Sequence, residues 1–248
     1  VNRYTEALCA VLAYSAHCKR IPFNPLSGFK KLPTQTPEML FWTREEACSF
    51  LAWAKNKYCG EPGQFLNQFY LIYLLVINTG MRAGELWGLR PYDIIKSDGN
   101  KGASIHLQRQ FNVKESDFSS LKSSNLSASR KSRHAPCPIE LERGLLEHIK
   151  SSQIARDETI FKSLDGKPIR HRSMNTRFTK DVSEWGGQKI RFHDLRHTAA
   201  TLMLEDGLDI KMVQEILGHK KLQTTEKYLH FVGSRIREVS KSRSILPN

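Results

Sequence analysis

Apolar residues recur at helical intervals from Tyr4 to Cys18, with Leu8, Val11 and Leu12 in phase, which predicts a helix that ends before the proline-containing IPFNPLSGF. The stretch KKLPTQTPEM, residues 30–39, then reads as a linker. Its prolines at 33 and 37 break any helix and favour extended chain, placing a boundary near residues 35–40. Thr43-Arg44-Glu45-Glu46 has the form of a capping box, predicting a helix to about Lys57. Gln64 to Asn78 is apolar nearly all round, as a helix central to a core would be. From Ala103 to Val113 the period changes to two, with Ile105 and Leu107 alternating with His106 and Gln108, and a strand is expected. Lys114 to His134 is rich in Ser, Lys and Arg. It is expected to form a long basic hairpin tip leading to a second strand around Ala135 to Ile139. Helices are predicted at Leu141 to Ile149, Met174 to Trp185, His193 to Glu205, Ile210 to Leu217 and Thr225 to Val232, punctuated by Gly207 and Gly218. The pattern is α+β, mainly helical, with a small antiparallel β-sheet and a basic β-hairpin.

Composition narrows the partner. The 248 residues suffice for a sizeable core, and 38 Lys plus Arg against 25 Asp plus Glu give a formal charge of +13. Such a balance fits a polyanion, nucleic acid first, although solubility or a membrane surface would also use it. Five cysteines lack any C-x-x-C spacing, which disfavours a disulfide framework or a cysteine zinc site and fits a reducing cytosol. The longest apolar run, Phe69 to Ile77, falls far short of the roughly 20 residues that span a bilayer, so no membrane segment is expected. Val1 opens the chain inside a helical pattern, as expected of a piece of a longer protein.

Three segments carry candidate chemistry: TGMRAGEL at residues 79–86, HDLRH at 193–197, and LGH at 217–219 followed by TTEKY at 224–228. On a helix His193 and Arg196 share one face, opposite Leu195, Ala199 and Leu202. Arg82 has Glu85 at i+3, able to hold its guanidinium. Each feature has a plain alternative: a solvated helix face for His193 and Arg196, a structural ion pair for Arg82 and Glu85, a helix-end histidine for His219 and a packing tyrosine for Tyr228.

Taken in order, R-x-G-E-L, H-x-L-R-H, L-G-H and a tyrosine nine residues later resemble the tyrosine recombinase, or phage integrase, family over residues from about 38 to 235. NRYTEALCAVLAYSA and IPFNPLSGFKK resemble the end of that family's helical core-binding domain. The resemblance implies residues 1–36 as a remnant of that domain plus linker and 37–248 as a catalytic domain with a C-terminal tail. It implies a site-specific DNA recombinase that cuts and rejoins strands through a 3′-phosphotyrosyl bond. Arg82 and Arg196 would hold the scissile phosphate through paired donors, and Tyr228 would attack it. His193 would take the phenol proton, and His219 would donate to the phosphate. A lysine on a β-hairpin would protonate the leaving 5′ oxygen. Here the sequence departs from the family pattern, because the window before Pro136 holds Ser127 and Ala128. Lys122 is the first choice and Lys131 the second, with Arg130, Lys131 and Arg133 as further DNA contacts on a basic loop.

The resemblance further implies double-stranded DNA carrying a specific site, a homotetramer on that DNA, accessory DNA-bending proteins, and action in the bacterial cytoplasm or nucleoid. Covalent catalysis calls for no cofactor. Two rivals remain. One is a DNA-binding relative that has lost catalysis. The other is a zinc hydrolase using His193, His197 and His219, disfavoured because a cation, Arg196, lies between the ligands and H-E-x-x-H is absent.

Overall fold

The computed structural model describes residues 2–30, 39–60, 65–99, 101–112, 117–121 and 132–229. The chain divides into two compact units, Val1–Glu38 and Met39–Asn248. In the first, helix α1 (Asn2–His17) is followed by an Asx turn in which the Asn24 side chain accepts from the Leu26 amide at 2.9 Å and donates to the Cys9 carbonyl at 3.4 Å.

In the second unit, α2 (Arg44–Tyr58) starts at the predicted cap: the Glu46 amide donates to Thr43 Oγ1 at 3.3 Å and the Thr43 amide to Glu46 Oε2 at 2.8 Å. Helix α3 (Asn67–Thr79) is buried on nearly every side, as its apolar sequence requires, and packs on α2, α5 (Ile139–Ser151) and α7 (Leu195–Glu205). Aromatic rings fill the space beneath α2 and α3. Trp42, Phe50, Tyr73 and Phe178 of α6 (His171–Trp185) meet at centroid distances of 4.7 to 5.8 Å. A fully buried carboxylate, Asp181, is satisfied there by the Tyr58 hydroxyl at 2.7 Å, the Tyr73 hydroxyl at 2.5 Å and Lys57 at 3.0 Å. Among the described residues, no helix is long and apolar enough to cross a membrane.

The strands depart from the alternation pattern in one respect. Residues 104–112, which read as one strand, form two: β2 (Ser104–Leu107) and β3 (Arg109–Asn112). Strand β2 lies between β1 (Ile94–Ile95) and β5 (Arg133–Pro136), antiparallel to both, whereas β3 pairs with β4 (Asp117–Ser120) in a separate sheet. The cause is Asp93, 2% exposed, which accepts from Gln108 Nε2 at 2.7 Å and Arg109 Nη1 at 2.5 Å. Successive side chains of a regular strand point to opposite faces, so two neighbours cannot reach one carboxylate without a break in the pleat. Strand β5 also begins earlier than expected and stops at Pro136, because Pro138 caps α5 and commits Ile139 to the helix. The tip of the expected basic hairpin, residues 122–131, lies outside the described residues.

Strand β5 packs on α8 (Ile210–Leu217), and α7 leads into α8, so both reach the end of α3. The last short helix, α9 (Gln223–Glu226), is a single turn, shorter than the predicted Thr225 to Val232; residues 230–232 lie outside the described residues.

Candidate active site at the carboxyl end of helix α8

The last carbonyls of a helix lack intrahelical donors, and the helix end carries partial negative charge. At the end of α8 three guanidiniums meet that demand on three successive carbonyls. Arg133 Nε donates to Ile216 O at 2.7 Å, Arg196 Nη2 to Leu217 O at 2.5 Å and Arg82 Nη2 to Gly218 O at 3.1 Å. These arginines come from β5, α7 and the turn between α3 and α4 (Ala83–Trp87). Arg196 also donates through Nη1 to the Gly80 carbonyl at 2.5 Å, joining the ends of α3 and α8. Both helices finish on a left-handed glycine, Gly80 at φ 60° and Gly218 at φ 68°.

Glu85 balances part of this charge. Its carboxylate receives Arg133 through two bonds of 2.7 and 2.6 Å, Arg82 Nη1 at 3.1 Å and the Arg82 amide at 2.7 Å. Burial alone would raise its pKa, yet the bonds and charge of Arg133 and the charge of Arg82 hold it down at about 2. Arg196 is 3% exposed, and burial together with the Arg82 charge pushes its pKa down to about 9, against the pull of Glu85. It stays a cation at neutral pH. Arg82, with 36% of its side chain accessible, is the open member of the cluster, and Arg133 keeps only 10%.

Tyr228 lies beside the guanidiniums, 2% exposed. Its hydroxyl is 2.7 Å from His197 Nδ1, and the His219 ring stacks parallel to its own at 6.3 Å. Burial raises the phenol pKa, while the charges of Arg196 and Arg82 oppose that rise. His219 Nδ1 is 2.8 Å from Thr225 Oγ1, and Gln214 Nε2 fixes its backbone by donating to its carbonyl at 3.0 Å. Burial and then the charges of Arg196, Arg82 and Arg133 push the His219 pKa down to about 3. His197 is pushed down to about 4, by burial first and then by His193. Both rings are neutral at neutral pH.

The sequence pattern of the phage integrase family matches residues 43–233. The chain belongs to the phage integrase family. It is 29% identical over 167 residues to tyrosine recombinase XerC of Staphylococcus carnosus, an alignment covering 60% of this chain and 56% of that relative's length. The chain thus spans little more than half of the curated relative. The fold matches that of the Tn1549 transposon integrase in complex with a circular intermediate DNA, with a TM-score of 0.70 at 21% identity over 92% of this chain and 73% of the other. Lambda integrase, seen as a tetramer bound to a Holliday junction, gives a TM-score of 0.61 at 18% identity over 89% and 58%. These likenesses establish a tyrosine recombinase catalytic-domain fold, mainly helical with small antiparallel sheets.

Within this phage integrase fold, Arg82, Glu85, Arg196, His219 and Tyr228 come together although the first and last lie 146 positions apart in the chain. Arg196 is not on a solvated helix face, the plain alternative for its spacing with His193, but is drawn inward by two helix-end carbonyls. His193 sits on a 3-10 turn (Phe192–Asp194) before α7, exposed at the rim, its ring edge-on to His197 at 5.6 Å. Partial burial and the Arg196 charge lower its pKa. The ring holding the Tyr228 hydroxyl is therefore His197 and not His193. In the sequence His197 stands out only as a candidate zinc ligand, though its place one turn after His193 is a usable signal. Arg133, expected as a phosphate contact on a basic loop, lies inside the cluster with its guanidinium on Glu85 and Ile216. Lys122, Arg130 and Lys131 lie outside the described residues. Among the described residues no three His, Cys, Asp or Glu side chains converge as a metal-ligand set.

Proposed function

We propose that the chain cleaves and rejoins double-stranded DNA at a specific site, with Tyr228 as the nucleophile. The observation that supports this most is the convergence of Arg82 and Arg196 on consecutive carbonyls, Gly218 and Leu217, beside the Tyr228 ring. Two fixed guanidiniums suit a phosphate whose non-bridging oxygens gain charge as a fifth oxygen bonds to phosphorus. Arg196 engages two carbonyls and keeps donors in reserve, since a guanidinium carries five N–H groups. Arg82 is the accessible partner, and a formal charge of +13 draws DNA to the surface.

With the Thr225 hydroxyl donating to Nδ1, neutral His219 carries its proton on Nε2 and presents it to a phosphate oxygen. His193, at the exposed rim, is placed to meet the DNA backbone. The leaving 5′ oxygen takes its proton from a lysine of the 122–131 segment, Lys122 before Lys131. Tyr228 is 2% exposed beside His197, so attack requires a local opening around α9 that brings the phosphate to the phenol oxygen where it meets His197. The tetramer that lambda integrase forms on a Holliday junction supports four protomers acting together here.

The test is a library of nicked duplexes, in which the short leaving strand diffuses away and traps covalent protein–DNA complex. The intact chain should accumulate that complex, and Tyr228→Phe should form none. Arg82→Ala and Arg196→Ala should each slow trapping by about 10²–10³-fold, the usual cost of one preorganised donor to a developing anion. Covalent complex formed by Tyr228→Phe would refute the assignment.

A further inference from the structure

We propose that His197, in the field of the Asp194 carboxylate, is the group that takes the proton from Tyr228 during strand cleavage. The inference rests on Tyr228 being the nucleophile, and it assigns the proton to a histidine other than the one the family resemblance pointed to. Three observations carry it. The phenol oxygen is 2.7 Å from His197 Nδ1, within proton-transfer reach. The other ring nitrogen, Nε2, faces the Asp194 carboxylate at 4.0 Å, close enough for charge stabilisation though too long for a direct hydrogen bond. Asp194 is itself fully buried and locked, receiving Arg191 Nη2 at 2.8 Å, Arg191 Nε at 3.0 Å and the Arg191 amide at 2.8 Å.

This is an acid–base chain in the order phenol, imidazole, carboxylate, guanidinium. The carboxylate beside Nε2 favours the tautomer with its proton there, which leaves Nδ1 as the acceptor. The same carboxylate stabilises the imidazolium that forms. Among the described residues, the other groups that act on His197 include His193, Arg191 and Arg196 on its own stretch and His219 on the segment after α8, all cationic or neutral, so Asp194 supplies the favourable field.

In the resting arrangement the proton stays on the phenol, because the buried imidazole is a weak base and the buried phenol a weak acid. Transfer therefore accompanies attack. As the tyrosyl oxygen bonds to phosphorus, its O–H bond breaks and the proton passes to Nδ1. The bond from phosphorus to the 5′ oxygen breaks with its electron pair, and that oxygen takes a proton from the lysine acid or from water. An arriving phosphodiester also offsets the Arg196 charge that disfavours imidazolium. In rejoining, the proton returns from Nδ1 to the phenol oxygen.

His197→Gln keeps an acceptor for the hydroxyl but cannot hold the proton, so single-turnover trapping should fall by about 10²-fold or more. Replacing Tyr228 with a ring-fluorinated, more acidic tyrosine should restore most of that loss in His197→Gln. The same replacement should restore little in His193→Gln. A merely structural role for His197 would not respond to phenol acidity. Trapping by His197→Gln within threefold of the unaltered chain, a loss that the acidic phenol does not restore, or restoration confined to His193→Gln would each overturn the proposal. None of these outcomes would touch Tyr228 as nucleophile, whereas covalent complex formed by Tyr228→Phe would remove that assignment as well.

Discussion

Glu85 organises two of the site's three guanidiniums, because Arg82 and Arg133 both bond to it. Its carboxyl is held at about 2 in the fold against an ordinary value of 4.5, and a carboxylate with a depressed pKa stabilises the folded state above its unfolded value. That contribution, about 3 kcal/mol, is complete above pH ~4.5 and disappears as pH falls through ~2. The stability difference between the unaltered chain and Glu85→Gln should therefore shrink across that window in denaturant titrations; a difference independent of pH would contradict it. Arg133→Ala leaves the buried Glu85 bonded to Arg82 alone among the cluster's guanidiniums and should cost about 3–5 kcal/mol, as breaking a buried pair does. It should also slow DNA cleavage by loosening Arg82, while a loss below about 0.5 kcal/mol would show that Arg133 is an ordinary surface cation. Sequence spacing exposed the Arg82–Glu85 pair, since i+3 neighbours meet on any helix. It could not expose Arg133, which reaches Glu85 across 48 positions, or the bond between His197 and Tyr228 across 31. Such contacts depend on how α8 lies against β5 and α7.

Helix α8 acts as the bracket for the cluster, and its approach to α3 depends on Gly80. A Cβ at Gly80 would come within 2.4 Å of Leu217 Cδ2 and 3.3 Å of the Ala199 Cβ, with both residues fully buried. Gly207 has a comparable left-handed backbone, φ 85°, with nothing within 4 Å of an added Cβ. Gly207→Ala should therefore cost about 1 kcal/mol of backbone strain. Gly80→Ala should add about 1–3 kcal/mol of overpacking and push the Leu217 carbonyl away from Arg196. Thermal unfolding should separate the two by several degrees, and equal shifts would mean that α8 is not seated by this contact. At this scale the helices were legible, because α2, α6, α7 and α8 show clear periodicity, caps or terminal glycines. The division of β2 from β3 was less so: Arg109 stands at a position where the alternation calls for an apolar residue, but the buried Asp93 that draws in Gln108 and Arg109 is a tertiary feature.

Across the whole molecule, the order of short motifs carried the functional signal, although each motif alone has an ordinary structural explanation. Folding supplies the reason that order matters: the turn after α3, the start of α7 and the end of α8 are far apart in the chain and meet at one helix end. The acid for the leaving strand could not be fixed from sequence, because the basic segment departs from the family spacing before Pro136. The central claim is that a phosphate held at the end of α8 becomes bonded to Tyr228. Nuclease and protease digestion of the trapped complex, followed by mass spectrometry, tests it most directly. The peptide containing Tyr228 should carry a nucleotide 3′-phosphate. A nucleotide on any other residue, with the Tyr228 peptide unmodified, would contradict it.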